Sequence, residues 1–365
     1  MSEQEERNFI IGIFGDNYEY RNLIGQALGA PGTRSDIQFY NRLDDSVGHV
    51  FCALTPVEYP EKLKPFLQTL NIATLHILVV DLDLGLNPIV GEVLVGMDMV
   101  HQLNDTRTLV VISNITKKTE WKLDEIKRKL REIINTTSLK NTEIIEIRDK
   151  ADYDTLKKKV IDIGSELTKK DEKTSSYTKV LIDHSFPVKG IGTVILGIVK
   201  KGIINSGQML ELTGYDGPGK KVIVRSIQKH DRNFKFAVEG DRVGLALKGN
   251  ISPDQISRDN ILVSNNQYKS ENKIKAKIFV NQFYKPKSKV IRPGDGIQYF
   301  VIVETKFSPL KITEGDEILP GKSGEVIMEF DKLLFHNGAG LKGIITTLNR
   351  FENQLRIVGY FEQII

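Results

Sequence analysis

Residues 15–24 are the first place where residue types and spacing suggest chemistry, because they follow an apolar, strand-like run. They read GDNYEYRNLI. A phosphate-binding P-loop has the pattern G-x-x-x-x-G-K-[ST], in which backbone N–H groups wrap the phosphates, the lysine neutralises them and the hydroxyl binds Mg²⁺. The chain keeps the first glycine, Gly15, and the length of the loop, but places Tyr20, Arg21 and Asn22 at the three later positions.

These replacements remove most of what a phosphate needs. Tyr20 adds a Cβ and a ring where the backbone must approach the phosphate closely, and a positive φ is unfavourable for it. Arg21 can still pair with a phosphate, but Asp16 and Glu19 place negative charge beside it. We interpret the segment as a degenerate phosphate loop, in which Gly15, Arg21 and Asn22 are the remaining candidate contacts.

Other residue types that often carry chemistry show no matching pattern. The six histidines have no spacing typical of a metal site. The single cysteine, Cys52, excludes a framework of intramolecular disulfides and any metal site built from several cysteines. Cys52 adjoins an apolar run, so we expect it to be a small buried side chain. The sequence therefore predicts no catalytic residue and no metal site.

The elements that would position the loop alternate between strand and helix patterns over the first 170 or so residues. Four apolar runs, at residues 9–14, 75–80, 108–112 and 143–147, are rich in β-branched residues, which is typical of a parallel sheet covered on both faces. Residues 120–134 have a helical apolar stripe that includes Trp121, Ile126 and Leu130. The pattern predicts an open α/β domain.

Residues 169–176, KKDEKTSS, have no apolar side chain to bury and indicate a linker. The secondary-structure pattern of the sequence changes after this linker. Short strand-like segments punctuated by glycine then follow, which favours all-β modules. A second polar stretch, residues 264–272, separates two such modules. We therefore predict an α/β domain at 1–172 and two β-barrels at 177–265 and 272–365.

The charge is divided unevenly between the two halves of the chain. Residues 1–176 carry 23 basic and 28 acidic side chains, whereas residues 177–365 carry 28 and 19. The basic half is consistent with a polyanionic partner such as RNA, although an uneven but solvated surface would look the same. The acidic N-terminal residues lead directly into an apolar strand and no apolar run is long enough to cross a bilayer. We expect a cytoplasmic monomer without membrane association.

Residues 185–208 carry a resemblance to a known family. They read SFPVKGIGTVILGIVKKGIINSGQ and strongly resemble the start of domain 2 in translational GTPases such as elongation factor Tu, elongation factor one-alpha and SelB. That pattern is F-x-x-x-G-x-G-T-V-V-x-G-x-V-x-x-G-x-[IL]-x-x-G. The residues in register are Gly190, Gly192, Thr193, Val194, Gly197, Val199, Gly202, Ile204 and Gly207.

The resemblance extends over nearly the whole chain. Residues 237–247, AVEGDRVGLAL, are similar to the pattern A-x-x-G-D-x-V-G-x-x-L of the same domain. Residues 354–360 are similar to the closing strand of the third domain. In the first domain, residues 32–37 lie where SelB-like factors have a switch segment. Ser113 and Asn114 lie at the guanine-recognition motif N-K-x-D. The resemblance implies an α/β P-loop GTPase-like domain followed by two all-β barrels, as in elongation factor Tu.

The chain departs from the family at the residues that handle nucleotide. In the family motif D-x-P-G-H, the Mg²⁺-holding aspartate is absent, and the γ-phosphate-sensing glycine and the water-positioning histidine become Val57 and Glu58. In N-K-x-D, Asn114 remains, but Ile115 replaces the lysine and Lys117 replaces the aspartate that accepts protons from guanine. Together these losses argue against GTP hydrolysis driven by a molecular switch, and Asn114 joins the vestigial nucleotide site.

Three functions remain open. The first is a translation-factor homologue with a pseudo-GTPase domain, binding tRNA or the ribosome through its barrels without a cofactor. The second is a GTP-binding elongation factor with unusual motifs, in which Asp36, Asp81 or Asp83 would hold Mg²⁺ beside GTP or GDP. The third is an interaction protein that has left translation and pairs with other factors. If the chain is an enzyme, the resemblance implies that it hydrolyses GTP.

Two sets of residues are candidates for an RNA or ribosome surface. In the family, domain 2 holds the aminoacylated end of tRNA and packs on the small subunit, and domain 3 holds the acceptor and T stem. The first set lies in the barrel that resembles domain 2, so the resemblance implies the same role for it. The second set is a basic cluster in the last barrel, whose phosphate contacts would give affinity without sequence reading; a solvated loop is the alternative. The sets are Lys189, Gly190, Gly192 and Thr193, and Lys285, Lys287, Lys289 and Arg292.

Overall fold

The computed structural model describes residues 7–44, 49–168, 177–229 and 232–365. The chain divides into two compact units. The first comprises Met1–Lys170 together with Leu348–Ile357, and the second comprises Asp171–Thr347 together with Val358–Ile365. The second unit therefore contains most of both predicted β modules. The predicted linker at 169–176 lies outside the described residues.

The first unit is an open α/β domain. Its strands are β1 (Arg7–Gly15), β2 (Ala30–Arg34), β3 (Ile37–Asp44), β4 (His49–Pro56), β5 (Leu75–Asp81), β6 (Arg107–Ser113) and β7 (Glu143–Glu146). Its helices are α1 (Tyr18–Leu28), α2 (Leu63–Ile72), α3 (Pro88–Leu103), α4 (Leu123–Asn135) and α5 (Lys150–Thr168). The sheet order is β2-β3-β4-β1-β5-β6-β7, with β4, β1, β5, β6 and β7 parallel and β2 and β3 antiparallel. The predicted fold class is confirmed.

Both faces of this sheet are covered, which explains the continuous apolar runs in the sequence. Every residue of β5 is buried. On one face, Ile24 and Leu28 of α1 and Leu156 and Val160 of α5 pack in one core cluster with the strands. On the other, Phe66 of α2 contacts Phe14 edge-on. All four predicted strands are present, because burial on both faces selects β-branched residues.

The predicted helix at 120–134 is present with a different start and a narrower buried face. A single 3₁₀ turn, Glu120–Lys122, precedes α4. Leu130 and Ile134 are buried, but Trp121 is 73% exposed, so its place in the apolar stripe was wrong. Its position in the 3₁₀ turn, where the indole Nε1 donates to the Lys118 carbonyl at 3.0 Å, turns the ring away from the sheet.

The second unit begins with a closed barrel. Its strands are β8 (Lys179–Val188), β9 (Gly192–Lys201), β10 (Ile204–Asn205), β11 (Met209–Thr213), β12 (Lys220–Lys229), β13 (Arg232–Phe234), β14 (Phe236–Ala237), β15 (Arg242–Lys248) and β16 (Ile261–Ser264). The order is β11-β16-β8-β9-β15-β12, and pairing of β11 with β12 closes it. Short β13 extends β12, and β10 pairs with β14 as a separate ribbon.

The second barrel follows in the same unit. Its strands are β17 (Lys269–Val280), β18 (Tyr299–Val303), β19 (Lys306–Gly315), β20 (Ser323–His336), β21 (Lys342–Thr346) and β22 (Ile357–Gln363), which close in the order β17-β20-β19-β18-β21-β22. Glycine allows strands to approach closely at several points. At Gly359, for example, a Cβ would lie 2.0 Å from the Phe279 carbonyl oxygen. None of the helices in the described residues is long and apolar enough to cross a membrane.

Candidate functional site

The connection between β1 and α1, where a phosphate loop would lie, contains only Asp16 and Asn17. Asn17 caps α1 by accepting a hydrogen bond from the Glu19 backbone N–H at 2.9 Å. Tyr20 and Arg21 are therefore helical, and the loop does not keep the length expected from the sequence. This cap also occupies one of the N–H groups that the start of a helix would offer an anion.

Gly15 has a structural reason for being glycine. Its φ is +156°, and a Cβ there would lie 2.2 Å from the carbonyl oxygen of Val79 on β5. Any larger residue would push β1 and β5 apart. The glycine is thus required by the close approach of two strands, and its candidate role in phosphate binding stays a prediction.

Asp81 lies at the carboxyl end of β5 and is the centre of a hydrogen-bonded group of side chains. It is buried and accepts hydrogen bonds from Asn17 Nδ2 at 2.8 Å and from Asn114 Nδ2 at 2.7 Å. The backbone N–H of Asp83 donates to it at 2.9 Å. These donors fix the carboxylate between the ends of β1 and β6, as expected for a buried charge that must be satisfied.

Asp16 is the second acidic side chain at this edge. Its carboxylate accepts a hydrogen bond from Asn87 Nδ2, and Asn87 also caps α3 by accepting from the N–H groups of Ile89 and Val90. Burial raises the pKa of Asp16, and the nearby charge of Asp81 raises it further, against the lowering effect of the Asn87 hydrogen bond. We call Asp16, Asn17, Asp81, Asn87 and Asn114 the carboxyl-edge cluster.

The carboxyl-edge cluster has the opposite electrostatics to a phosphate site. A phosphate loop offers backbone N–H groups and a lysine, whereas this edge presents two carboxylates that amide side chains and a backbone N–H group hold in place. Asparagine amides hold the carboxylates without neutralising them. An incoming phosphate would meet like charge, and the residues present do not fit GTP with Mg²⁺ in the usual arrangement.

Arg21 is buried under the start of α1 and faces the end of β4. Its guanidinium donates to Thr55 Oγ1 at 3.1 Å, to the Pro56 carbonyl and to the Tyr59 carbonyl at 3.3 Å. Burial lowers the pKa of Arg21 to about 10. The predicted phosphate contact of Arg21 stays a prediction, and the direction of its hydrogen bonds argues against it.

The other vestigial candidates also have partners within the first unit. Asn22 Oδ1 accepts a hydrogen bond from Tyr40 Oη at 2.6 Å. Asn114 has a φ of +60° and donates to Asp81. Of the aspartates considered for Mg²⁺, Asp83 accepts from Lys122 Nζ at 3.3 Å, and Asp36 Oδ1 accepts from Ser35 Oγ. Within the described residues, no group of three or more His, Cys, Asp or Glu side chains could hold a metal ion.

A buried ion pair in the first unit had no signal in the sequence. Glu92 on α3 accepts from Arg356 Nη2 at 2.6 Å and Nε at 3.1 Å, and from the Arg356 backbone N–H at 2.9 Å. Tyr59 Oη donates to the same carboxylate at 3.1 Å. Both charged side chains are buried. Because 264 positions separate them in the chain, only the fold brings them together.

The first set of candidate RNA-binding residues lies around the β8–β9 hairpin. Lys189, Gly190 and Gly192 are exposed, and the two glycines have positive φ with open space where a Cβ would be. Thr193 is buried and donates to the Ile251 carbonyl at 3.3 Å. The hairpin tip is thus accessible, while Thr193 packs inside the barrel.

The second set lies in the loop between β17 and β18. Lys285, Lys287, Lys289 and Arg292 are all exposed. Arg292 Nη1 lies 3.4 Å from Glu317 Oε1. Tyr284, which precedes the lysines, is buried, and Phe283 is the exposed aromatic residue of this loop. The sequence reasoning missed Phe283, although its position two residues before a lysine-rich run was visible.

Comparison with known proteins places this architecture. Residues 192–258 match the family Elongation factor Tu domain 2. An uncharacterized protein of Methanocaldococcus jannaschii is 30% identical over 90% of this chain and 95% of its own length. The selenocysteine-specific elongation factor of the same organism is 31% identical over 80% of this chain, which spans 63% of that factor.

Solved structures of translation factors have the same fold as this chain. Translation elongation factor SelB from Methanococcus maripaludis, in its apo form, superposes with a TM-score of 0.81 at 26% identity, covering 98% of this chain and 80% of SelB. An α/β domain followed by two closed barrels is thus the plan of a translation elongation factor. The chain belongs to the translational GTPase superfamily, as a SelB-like member.

Proposed function

We propose that this protein is a translation-factor homologue whose α/β domain no longer works as a GTP switch, and that it binds tRNA or the ribosome through its barrels. It would act in the cytoplasm, as a monomer, without a nucleotide cofactor and without hydrolysing GTP. Its additional partners would be other translation factors. The superfamily and the SelB-like fold are the established frame within which this function is proposed.

The observation that carries the proposal is the hydrogen-bonded carboxylate of Asp81. Asn17 and Asn114, from the two neighbouring strand ends, both donate to it. Asn17 lies at the phosphate-loop position and Asn114 at the base-recognition position, so a residue from each of two parts of a nucleotide site is hydrogen-bonded to Asp81 instead. A nucleotide that used either asparagine would have to break its partly buried hydrogen bond to Asp81, and a hydrogen bond to a charged group contributes about 1.5–3 kcal/mol.

The accessible basic residues of the second unit support RNA binding. Lys285, Lys287 and Lys289 project from one loop, and residues 177–365 carry 28 basic against 19 acidic side chains. Phosphate contacts by such groups give affinity that does not depend on sequence and that falls with salt. The exposed hairpin at Lys189 adds a second basic position on the preceding barrel.

The alternative is a GTP-binding factor with a rebuilt site. One observation favours it: SelB from Methanococcus maripaludis has been solved in complex with the GTP analogue GppNHp, and that structure superposes with a TM-score of 0.79. At 24% identity, over 98% of this chain and 79% of SelB, this likeness shows the fold alone. In this chain the rebuilt site would have to use the carboxyl-edge cluster.

Co-sedimentation of the full chain with ribosomes, and gel-shift with tRNA, tests the proposal when each is repeated with GTP, GDP and no nucleotide. We expect binding that is the same under all three conditions and weakens steeply between low and physiological salt. Binding that requires GTP would support the alternative. No binding to either partner under any condition would contradict the proposed function.

A further inference from the structure

The loop between β17 and β18 alternates exposed and buried side chains. Phe283, Lys285, Lys287 and Lys289 are exposed, whereas Tyr284 and Pro286 are buried. The buried members anchor the loop to the barrel, so the exposed ones project from a supported surface. One aromatic ring is therefore followed, at every second position, by three positive charges.

Hydrogen bonds to Asn281 fix the backbone at Phe283, while the Phe283 ring stays accessible to solvent. Its backbone N–H donates to Asn281 Oδ1 at 2.7 Å, and the N–H of Tyr284 donates to the Asn281 carbonyl at 3.1 Å. The Phe283 side chain is 47% exposed. Among the described residues its ring has no aromatic or cationic partner, whereas nearby Phe279 is stacked on Tyr360 at 4.6 Å.

The lysines beside this ring are available to an outside anion. No carboxylate in the described part of the chain pairs with Lys285, Lys287 or Lys289, and the nearby Glu317 is paired with Arg292. Asp295, in the same loop, accepts a hydrogen bond from Tyr299 Oη at 2.6 Å. The local charge is therefore positive around an accessible aromatic face.

We propose that this loop binds an unpaired stretch of RNA, with Phe283 stacking on a base and the three lysines contacting the phosphates. The inference rests on the proposed function and makes it more specific, because it names the state of the RNA. Base–aromatic stacking combined with a basic track is how single strands are bound without sequence preference.

The composition of the surface favours an unpaired RNA over its competitors. Bases inside a duplex are already stacked on each other, so an exposed phenyl ring has no face to meet there. The centre of a protein–protein interface is depleted in lysine, whereas three lysines follow this ring directly. Both competitors are outcomes of the test below.

The test measures fluorescence anisotropy of the full chain with two labelled RNAs of about 12 nucleotides, one unstructured single strand and one blunt duplex. The variants are Phe283→Ala, Phe283→Tyr, Leu319→Ala and the triple change of Lys285, Lys287 and Lys289 to Gln. Leu319 is the matched control, because it is an apolar side chain, 53% exposed, in the turn beside this loop. Circular dichroism verifies that each variant is folded.

We expect Phe283→Ala to weaken single-strand binding by about 5- to 150-fold, as loss of one stacked base predicts, and to leave duplex binding unchanged. Phe283→Tyr should bind the single strand as tightly as the unchanged protein does, and Leu319→Ala should leave binding to both RNAs unchanged. Equal effects of Phe283→Ala and Leu319→Ala, or an equal loss on both RNAs, would overturn the inference.

The triple lysine variant separates this inference from the proposed function. It should weaken binding to both RNAs. For the single strand, it should also reduce the slope of log K against log salt concentration by about 2. If it does so while Phe283→Ala is silent, the basic surface stands and the stacking role is wrong. If the triple variant binds both RNAs as tightly as the unchanged protein, this loop is not the RNA surface and the inference falls with it.

Discussion

At the scale of single residues, the carboxyl-edge cluster of the first unit brings two carboxylates and three asparagine amides together. The sequence predicted the loss of the nucleotide-handling residues, because each family position has a known chemical task. It did not predict that Asn17 and Asn114 would both donate to Asp81. That arrangement depends on where β1, β5 and β6 end relative to one another, which spacing along the chain does not reveal.

Asp16→Asn tests the like charge in the carboxyl-edge cluster. Because burial raises the pKa of Asp16 in the folded protein, the native state binds the proton more tightly than the unfolded chain, and ionisation at neutral pH opposes folding. The amide keeps an oxygen for Asn87. We expect a melting temperature a few degrees higher at pH 7, and a difference that disappears as the pH falls below the unfolded pKa. Thermal unfolding followed by circular dichroism from pH 3 to 7 measures both, and an unchanged or lower melting temperature at pH 7 would contradict the account.

Tyr20→Gly with Arg21→Lys would restore two residues of the phosphate-loop pattern. We expect no GTPase activity, because the loop stays short and the carboxylates remain. We also expect a loss of about 1–3 kcal/mol in the free energy of unfolding, since lysine cannot replace the guanidinium that reaches Thr55, Pro56 and Tyr59. Arg128→Lys, on the exposed face of α4, is the matched control. Phosphate release and urea unfolding are the two measurements, and a clear gain of hydrolysis would count against the proposal.

At the scale of elements, strands and barrels were predictable and connections were not. Apolar β-branched runs marked the central strands, and glycines at strand corners marked the barrels, because burial and close approach leave few other residue choices. The early start of α1 depends on a cap by Asn17 that competes with the loop pattern. The placement of Leu348–Ile357 with the first unit depends on pairing across the whole chain, which no local pattern carries.

The buried pair of Glu92 and Arg356 is expected to be the main attachment of segment Leu348–Ile357 within the first unit. Glu92→Gln leaves the Arg356 charge buried without its counter-charge, so we expect the free energy of unfolding of this unit to fall by about 3–5 kcal/mol. Glu132→Gln, which breaks an exposed pair with Arg128 on α4, should change it by less than about 1 kcal/mol. Chemical denaturation measures the free energy of unfolding of both variants. Equal losses in the two variants would show that the buried pair contributes little to stability.

At the scale of the whole molecule, the two units are expected to divide their tasks by charge. The acidic first half carries the two carboxylates of the carboxyl-edge cluster, and the basic second half carries the exposed lysines. The uneven composition is consistent with this division, and the hydrogen bonds of Asn17 and Asn114 to Asp81 support the proposal that the first half does not work as a GTP switch. We therefore expect RNA binding to depend on salt and to be indifferent to nucleotide.

The most direct test of the central claim is calorimetric titration of the purified full chain with GTP and with GDP, each with and without Mg²⁺. We expect no binding heat up to about millimolar nucleotide, where binding would be worth only about 4 kcal/mol. Micromolar binding that requires Mg²⁺ and prefers GTP would contradict it, and would mean that the carboxyl-edge cluster opens to form a rebuilt nucleotide site.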